Sequence, residues 1–139
     1  FEKWPQPQLI VLTVQKEVAQ RIVAKPPHMN LLALSVQYYA EPEIITYISK
    51  NNFRPIPKVD SAIIKLTPRE SAIHNPELFD LIRTGFSEKR KQLINNLTKL
   101  GYSKKKILDF LAAQEINPKT RAEELSLDQW LELSKYLNT

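Results

Sequence analysis

Two glycines in 139 residues constrain this chain more than any other feature. An ordinary globular protein carries about 7% glycine. A backbone that approaches a phosphate or dinucleotide closely needs that residue at the point of contact. Gly85 and Gly101 are sixteen residues apart, so neither G-x-G-x-x-G nor a P-loop can be written anywhere in the chain. Unaided binding of a nucleotide cofactor is therefore disfavoured.

The absence of cysteine removes a disulfide framework, a thiolate nucleophile and a Cys-based zinc site, and His28 and His74 leave little for a His-ligated metal. No metal is expected. With 42% apolar and 25% charged residues the composition is that of a soluble globular protein, sized for one ordinary domain or two small ones. The longest apolar runs, Leu9–Val14 and Leu31–Leu34, fall far short of the ~20 residues that span a bilayer. No membrane partner is expected, and the cytoplasm is the default compartment. The opening Phe1–Pro5 lacks both an initiator Met and the apolar core of a signal peptide. It reads as a piece of a longer chain.

Gln8–Val14 is rich in β-branched residues without polar alternation, which suits a strand buried on both faces in a parallel sheet. Lys16–Ala24 follows at helical spacing and stops at Pro26-Pro27. A second helix is expected over Leu31–Tyr39, closed by Glu41-Pro42, and a β-rich segment over Ile44–Ile48. Alternate prolines make Phe53–Pro57 irregular, and Val59–Leu66 resumes as a strand with Ala62 and Ile64 on one face. This order describes the tail of an α/β sheet. From Pro76 onward the apolar spacing is helical, in four short sets around Leu78–Phe86, Leu93–Leu100, Ile107–Leu111 and Trp130–Leu137. The expected division is 1–68 and 69–139, an α+β part followed by a small all-α domain.

Charge is concentrated. Arg83 to Lys106 holds eight basic residues and one acid, Glu88, a net +7. A field of that density attracts polyanions and releases counterions when phosphates bind. A solvated helix surface is the plain alternative, although such surfaces normally mix signs. Lys104–Lys106 read as a solvated turn before a helix. Lys89-Arg90-Lys91 read as lying inside a helix whose apolar positions are already committed.

Four stretches go beyond pattern. Phe53-Arg-Pro-Ile-Pro-Lys-Val-Asp-Ser-Ala62 resembles the F-x-P-x-P-K-V-D-S loop and strand of the ribosomal RNA adenine N6-dimethyltransferases, and Gln15–Arg21 resembles their Q-K-E-V-A-x-R segment. Gly85–Leu97 is similar to the family's F-x-x-R-R-K-x-L-x-N-x-L, and Arg121–Leu127 to its R-A-E-x-L-S-L. The four occur in order along essentially the whole chain, with the bacterial kasugamycin-sensitivity type as the nearest relative.

The resemblance implies a Rossmann-like S-adenosylmethionine methyltransferase domain, represented here by its C-terminal strands and helices, followed by a small helical domain that grips small-subunit rRNA. It also implies dimethylation of two adjacent adenines during ribosome assembly. The family's glycine-rich cofactor loop, ribose-binding acid and N-[LI]-P-Y catalytic loop have no counterpart in these residues. S-adenosylmethionine thus belongs to the parent enzyme, and this piece is expected to bind RNA without completing an active site.

By its place in the motif Phe53 stacks on the substrate adenine, with Arg54 as a phosphate contact and Lys89, Arg90, Lys91 and Arg121 as RNA contacts. Each has a plainer reading. Phe53 fits a core aromatic, Arg121 fits a helix cap or a partner of Glu124, and Asp60 fits a turn hydrogen bond. A non-enzymatic helical nucleic-acid module and a binder of acidic proteins remain as alternatives. The truncated sheet leaves Leu9–Val14 with an exposed apolar edge, which is expected to self-associate or to pair with the rest of the parent.

Overall fold

A computed structural model describes residues 7–70 and 72–138, so the opening Phe1–Pro5 lies outside the described residues. The element order is β1 (Ile10–Gln15), α1 (Lys16–Ile22), α2 (Leu31–Tyr39), β2 (Ala40–Ile48), β3 (Ser61–Pro68), α3 (Pro76–Gly85), α4 (Leu93–Thr98), α5 (Lys104–Ala113) and α6 (Leu127–Leu137). Short 3-10 turns occupy Lys50–Asn52 and Ala122–Glu124. The residues fall into two compact units: those up to Ala24 together with Leu32–His74, and Lys25–Leu31 together with those from Asn75 on.

The first unit is α+β. Its three strands lie in the order β1-β3-β2, with β3 antiparallel to both neighbours. Ile10 pairs with Leu66 and Gln15 with Ser61, while Ala40 pairs with Pro68 and Ile48 with Ser61. The period-two pattern of β3 turns Ala62, Ile64 and Leu66 inward against Ala19, Ile22 and Ala40. Ile10, Val14, Val18, Leu32, Val36 and Ile44 pack around them. The Gln37 side-chain amide donates to the carbonyls of Ile22 and Ala24, both at 2.9 Å, and so closes the end of α1 with a residue from α2.

Two expectations are corrected here. β1 is neither parallel nor buried on both faces: it is antiparallel to β3, and Val11 and Leu12 stay 58% and 44% exposed. Among the described residues it has one neighbouring strand, so its apolar run lies along a sheet edge. α2 ends at Tyr39, before Glu41-Pro42, but the β-rich segment begins earlier than Ile44: β2 starts at Ala40, and Pro42 sits within it opposite Leu66. β2 is the other edge, where a residue without an N–H costs no ladder bond on the open side. A register shift between Ile44 and Thr46 inserts Ile45 as the extra residue of a bulge and leaves it 51% exposed.

The second unit carries α3 to α6. Leu78, Leu81, Ile82, Leu93, Leu97, Ile107, Leu111, Leu125, Trp130 and Leu133 are at most 1% exposed. Asn75 caps α3 by accepting the Leu78 N–H at 3.1 Å, with Pro76 at the first helical position. Ser126 and Gln129 form the capping box of α6. Gly101 follows α4 at φ +88°, a left-handed position that closes the helix, and Leu100 lies past that end at 67% exposure. The segment Lys25–Leu31 joins this unit through the Met29 N–H, which donates to the Glu123 carbonyl at 2.9 Å, and Met29 itself is buried.

Candidate RNA interface

Phe53 ends the 3-10 turn Lys50–Asn52, with its N–H donating to the Lys50 carbonyl at 3.3 Å. The side chain is half-buried, and the loop beyond it, from Arg54 to Val59, is exposed. Two bonds to one residue hold this loop. The Asp60 carboxylate accepts the Lys50 N–H at 2.8 Å, and the Asp60 carbonyl accepts the Lys16 N–H at 2.9 Å. Asp60 therefore pins the start of α1, the 3-10 turn and the entry to β3 at one point. Arg54 folds back on its own loop, where Nη1 donates to the carbonyls of Asn51 at 3.0 Å and Phe53 at 2.9 Å. Its remaining N–H groups have no partner among the described residues.

In the helical unit, Lys89-Arg90-Lys91 do not lie inside a helix. They form the turn between α3 and α4. α3 ends at Gly85, where a Cβ would overlap Trp130 Cη2 and stand 3.0 Å from Leu93 Cδ1. The Trp130 ring is fully buried and stacks 5.9 Å from Phe86. The chain turns away, and buried Asn96 ties the turn down by donating to the carbonyls of Gly85 at 2.8 Å and Glu88 at 3.0 Å. Nothing in the spacing of the basic stretch marks Asn96 as structural. A polar residue on the apolar face of α4 was the available signal.

Ion pairing sorts the basic stretch. Arg83 pairs with Asp80 one helical turn back. The Glu88 carboxylate takes Lys91 at 3.0 Å and also Lys99. The hydrogen bond from Lys99, then that from Lys91, holds the Glu88 carboxyl below the usual carboxylate range. Lys89 and Arg90 are exposed and have no ion-pair partner among the described residues. Lys104–Lys106 form the first turn of α5 rather than a turn before it, behind the Ser103 cap. Cations there oppose the helix dipole.

The Leu93 N–H donates to the Thr120 carbonyl at 2.8 Å, which brings the basic turn beside Arg121. The Arg121 backbone N–H donates to the Glu124 carboxylate at 2.9 Å, and the side chain is exposed. Lys89, Arg90, Lys91 and Arg121 thus share one region of the helical unit, while Phe53 and Arg54 sit on the sheet unit. His28 and His74 are exposed. Among the described residues no cluster of His, Asp and Glu could hold a metal ion, and no helix is long and apolar enough to cross a membrane.

Residues 2–139 match the family model described as ribosomal RNA adenine dimethylase. The ribosomal RNA small subunit methyltransferase A of Rippkaea orientalis is 48% identical over 97% of this chain and 51% of its own length. The protein of the same name from Fusobacterium nucleatum is 42% identical over 89% of this chain and 49% of its own length. Among solved structures, a dimethyladenosine transferase from Plasmodium falciparum superposes with TM-score 0.76 at 28% identity, covering 93% of this chain and 57% of that one. The 23S rRNA methyltransferase ErmE superposes with TM-score 0.71 at 19% identity over 95% of this chain and 55% of its own, a likeness of fold. The chain spans about half the length of the curated relatives it matches. With sequence, fold and the order of its motifs agreeing from end to end, the chain belongs to the ribosomal RNA adenine dimethylase family.

Proposed function

We propose that this chain is the C-terminal portion of a small-subunit rRNA adenine N6,N6-dimethyltransferase that acts in ribosome biogenesis in the cytoplasm. S-adenosylmethionine is the methyl donor of the parent enzyme. The observation that carries this reading is the family match across residues 2–139 by a chain half as long as its relatives.

An exocyclic adenine nitrogen is a weak nucleophile, because its lone pair is delocalised into the ring. Catalysis on it is mostly positioning of the flipped base. Phe53, half-buried at the end of a pinned 3-10 turn, supplies one stacking face. Arg54 stands next to it for the RNA backbone. Lys89, Arg90, Lys91 and Arg121 grip phosphates on the helical unit, which serves as the RNA-binding domain. The sheet unit forms the C-terminal part of the methyltransferase domain.

These residues do not fit a cradle for the methyl donor. The sheet unit contains no glycine, Gly85 is taken by Trp130, and Gly101 closes α4. The chain by itself therefore binds rRNA without transferring methyl groups. The exposed apolar edge of β1 supports strand pairing, either with the remainder of the parent or with a second copy.

The test compares the chain alone with the full-length parent. Radiolabelled methyl transfer to small-subunit rRNA is expected from the parent only, and salt-sensitive binding of structured rRNA fragments from both. Methyl transfer by the chain alone, or no RNA binding at low salt, overturns the reading. Equal affinity for duplex DNA favours a general nucleic-acid module instead.

A further inference from the structure

A cleft of about 330 Å³ on the sheet unit is lined by Lys16, Glu17, Gln20, Lys50, Lys58, Val59 and Asp60. Its three lysines come from three separate segments: the start of α1, the 3-10 turn, and the loop before β3. The two Asp60 bonds described above lock those segments together, so the spacing of the lysines is set by backbone geometry rather than by side-chain drift. Among the described residues none of the three has an ion-pair partner, and Lys16 Nζ sits 5.2 Å from the centre of the Tyr47 ring.

Solvated surface lysines are common, but they are rarely fixed around one cavity. Three lysines that line one cleft repel one another, and an anion in the cleft offsets that cost. Set against Glu17 and Asp60, the lining carries a net +1, the charge that one phosphodiester neutralises. The cleft and the base-stacking residue share one turn, because Phe53 bonds back to Lys50.

We propose that this cleft holds a single phosphodiester of the RNA strand, adjacent to the adenosine that stacks on Phe53. The proposal rests on the reading of Phe53 given above. Lys16, Lys50 and Lys58 then act as positioning residues: they fix the backbone of the flipped nucleotide and so set where its base arrives. Glu17 disfavours a second phosphate, which limits the site to one.

The experiment uses the 139-residue chain and a short single-stranded RNA with one adenosine, read by fluorescence anisotropy. A series of the same RNA carries a neutral methylphosphonate at one linkage at a time. With the wild-type chain, neutralising the linkage next to the adenosine is expected to weaken binding about tenfold and distant linkages far less. The Lys16→Gln/Lys50→Gln/Lys58→Gln variant is expected to bind unmodified RNA about tenfold more weakly, with a salt slope shallower by about 0.7, and to be indifferent to the adjacent methylphosphonate. A wild-type profile that is flat across all linkages overturns the proposal without any variant being made. RNA binding that is lost in Phe53→Ala but untouched in the triple variant overturns the cleft alone. No RNA binding by the wild-type chain at low salt overturns the proposed function together with it.

Discussion

The Asn96 side-chain amide donates to the main-chain carbonyl of Gly85 at 2.8 Å, so the end of one helix is held by the middle of the next. A second bond from the same nitrogen group reaches Glu88 at 3.0 Å and sets the turn that presents Lys89 and Arg90. Asn96→Ala removes the buried bond to the Gly85 carbonyl, while Glu88 keeps the Lys91 N–H, and is expected to lower unfolding free energy by about 1–3 kcal/mol. Urea denaturation checks the stability. RNA affinity at a temperature where the variant stays folded checks the second consequence, a fall caused by loss of the turn's shape.

Gly85→Ala places a methyl group against the Trp130 ring and Leu93. Neither neighbour is exposed, so the cost is overpacking, about 1–3 kcal/mol. A thermal shift of several degrees is the readout. Gly101→Ala acts through φ alone, since nothing lies within 4 Å of its Cβ position, and it is expected to cost less.

Glu88 is held ionised by Lys99 and Lys91, and its carboxyl is depressed below the usual range. The sign follows from linkage: the contribution of the cluster is fully present above the carboxyl's unfolded value and is lost as the pH falls through the depressed folded one. A side-chain NMR titration should show Glu88 protonating below the usual carboxylate range. Glu88→Gln releases two lysines and is expected to tighten RNA binding at low salt and to steepen its salt dependence. An unchanged slope would show that Lys91 and Lys99 do not face the RNA.

Lys89→Glu with Arg90→Glu reverses the two cations that have no acidic partner. If each neutralises one phosphate, the salt slope of rRNA binding should become shallower by about 0.7–0.9 for each contact removed. The fold should persist, because both side chains are exposed.

The β1 edge exposes Leu9, Val11 and Leu12. Light scattering of the chain is expected to show concentration-dependent association, and Val11→Lys to suppress it.

Much of this fold was legible in local pattern. The alternation that sets Ala62 and Ile64 on one face gave a strand over Val59–Leu66, two residues off β3 at each end, and the apolar block Leu31–Tyr39 gave α2 to the residue. Local pattern failed where a distant neighbour decided the outcome. Gln8–Val14 reads as a doubly buried strand, because hydrophobicity records what the run can cover and not whether the covering segment is in the chain. Pro42 does mark the end of α2, but that it lies inside a strand is visible only once that strand is known to be an edge. Lys89–Lys91 read as helical because the bonds from Asn96 that hold their turn come from the next helix. Of the site, the motif residues were visible as types in order. The turn hydrogen bond of Asp60 is the plain reading of that residue, whereas the pairing of Lys99 with Glu88, eleven residues away, depends on a contact that no spacing rule contains.

The helical unit reaches back past the sheet strands to claim Met29. A protease cut in the connection between Arg69 and Asn75 therefore leaves one part of the helical unit, Lys25–Leu31, on the N-terminal product. The N-terminal product keeps a strap whose Met29 N–H is bonded to Glu123 on the C-terminal product. Cloning from Asn75 onward removes a buried side chain from the helical core. For dissection of this protein, the chain's one obvious boundary is a hinge of sequence and not a line of separation.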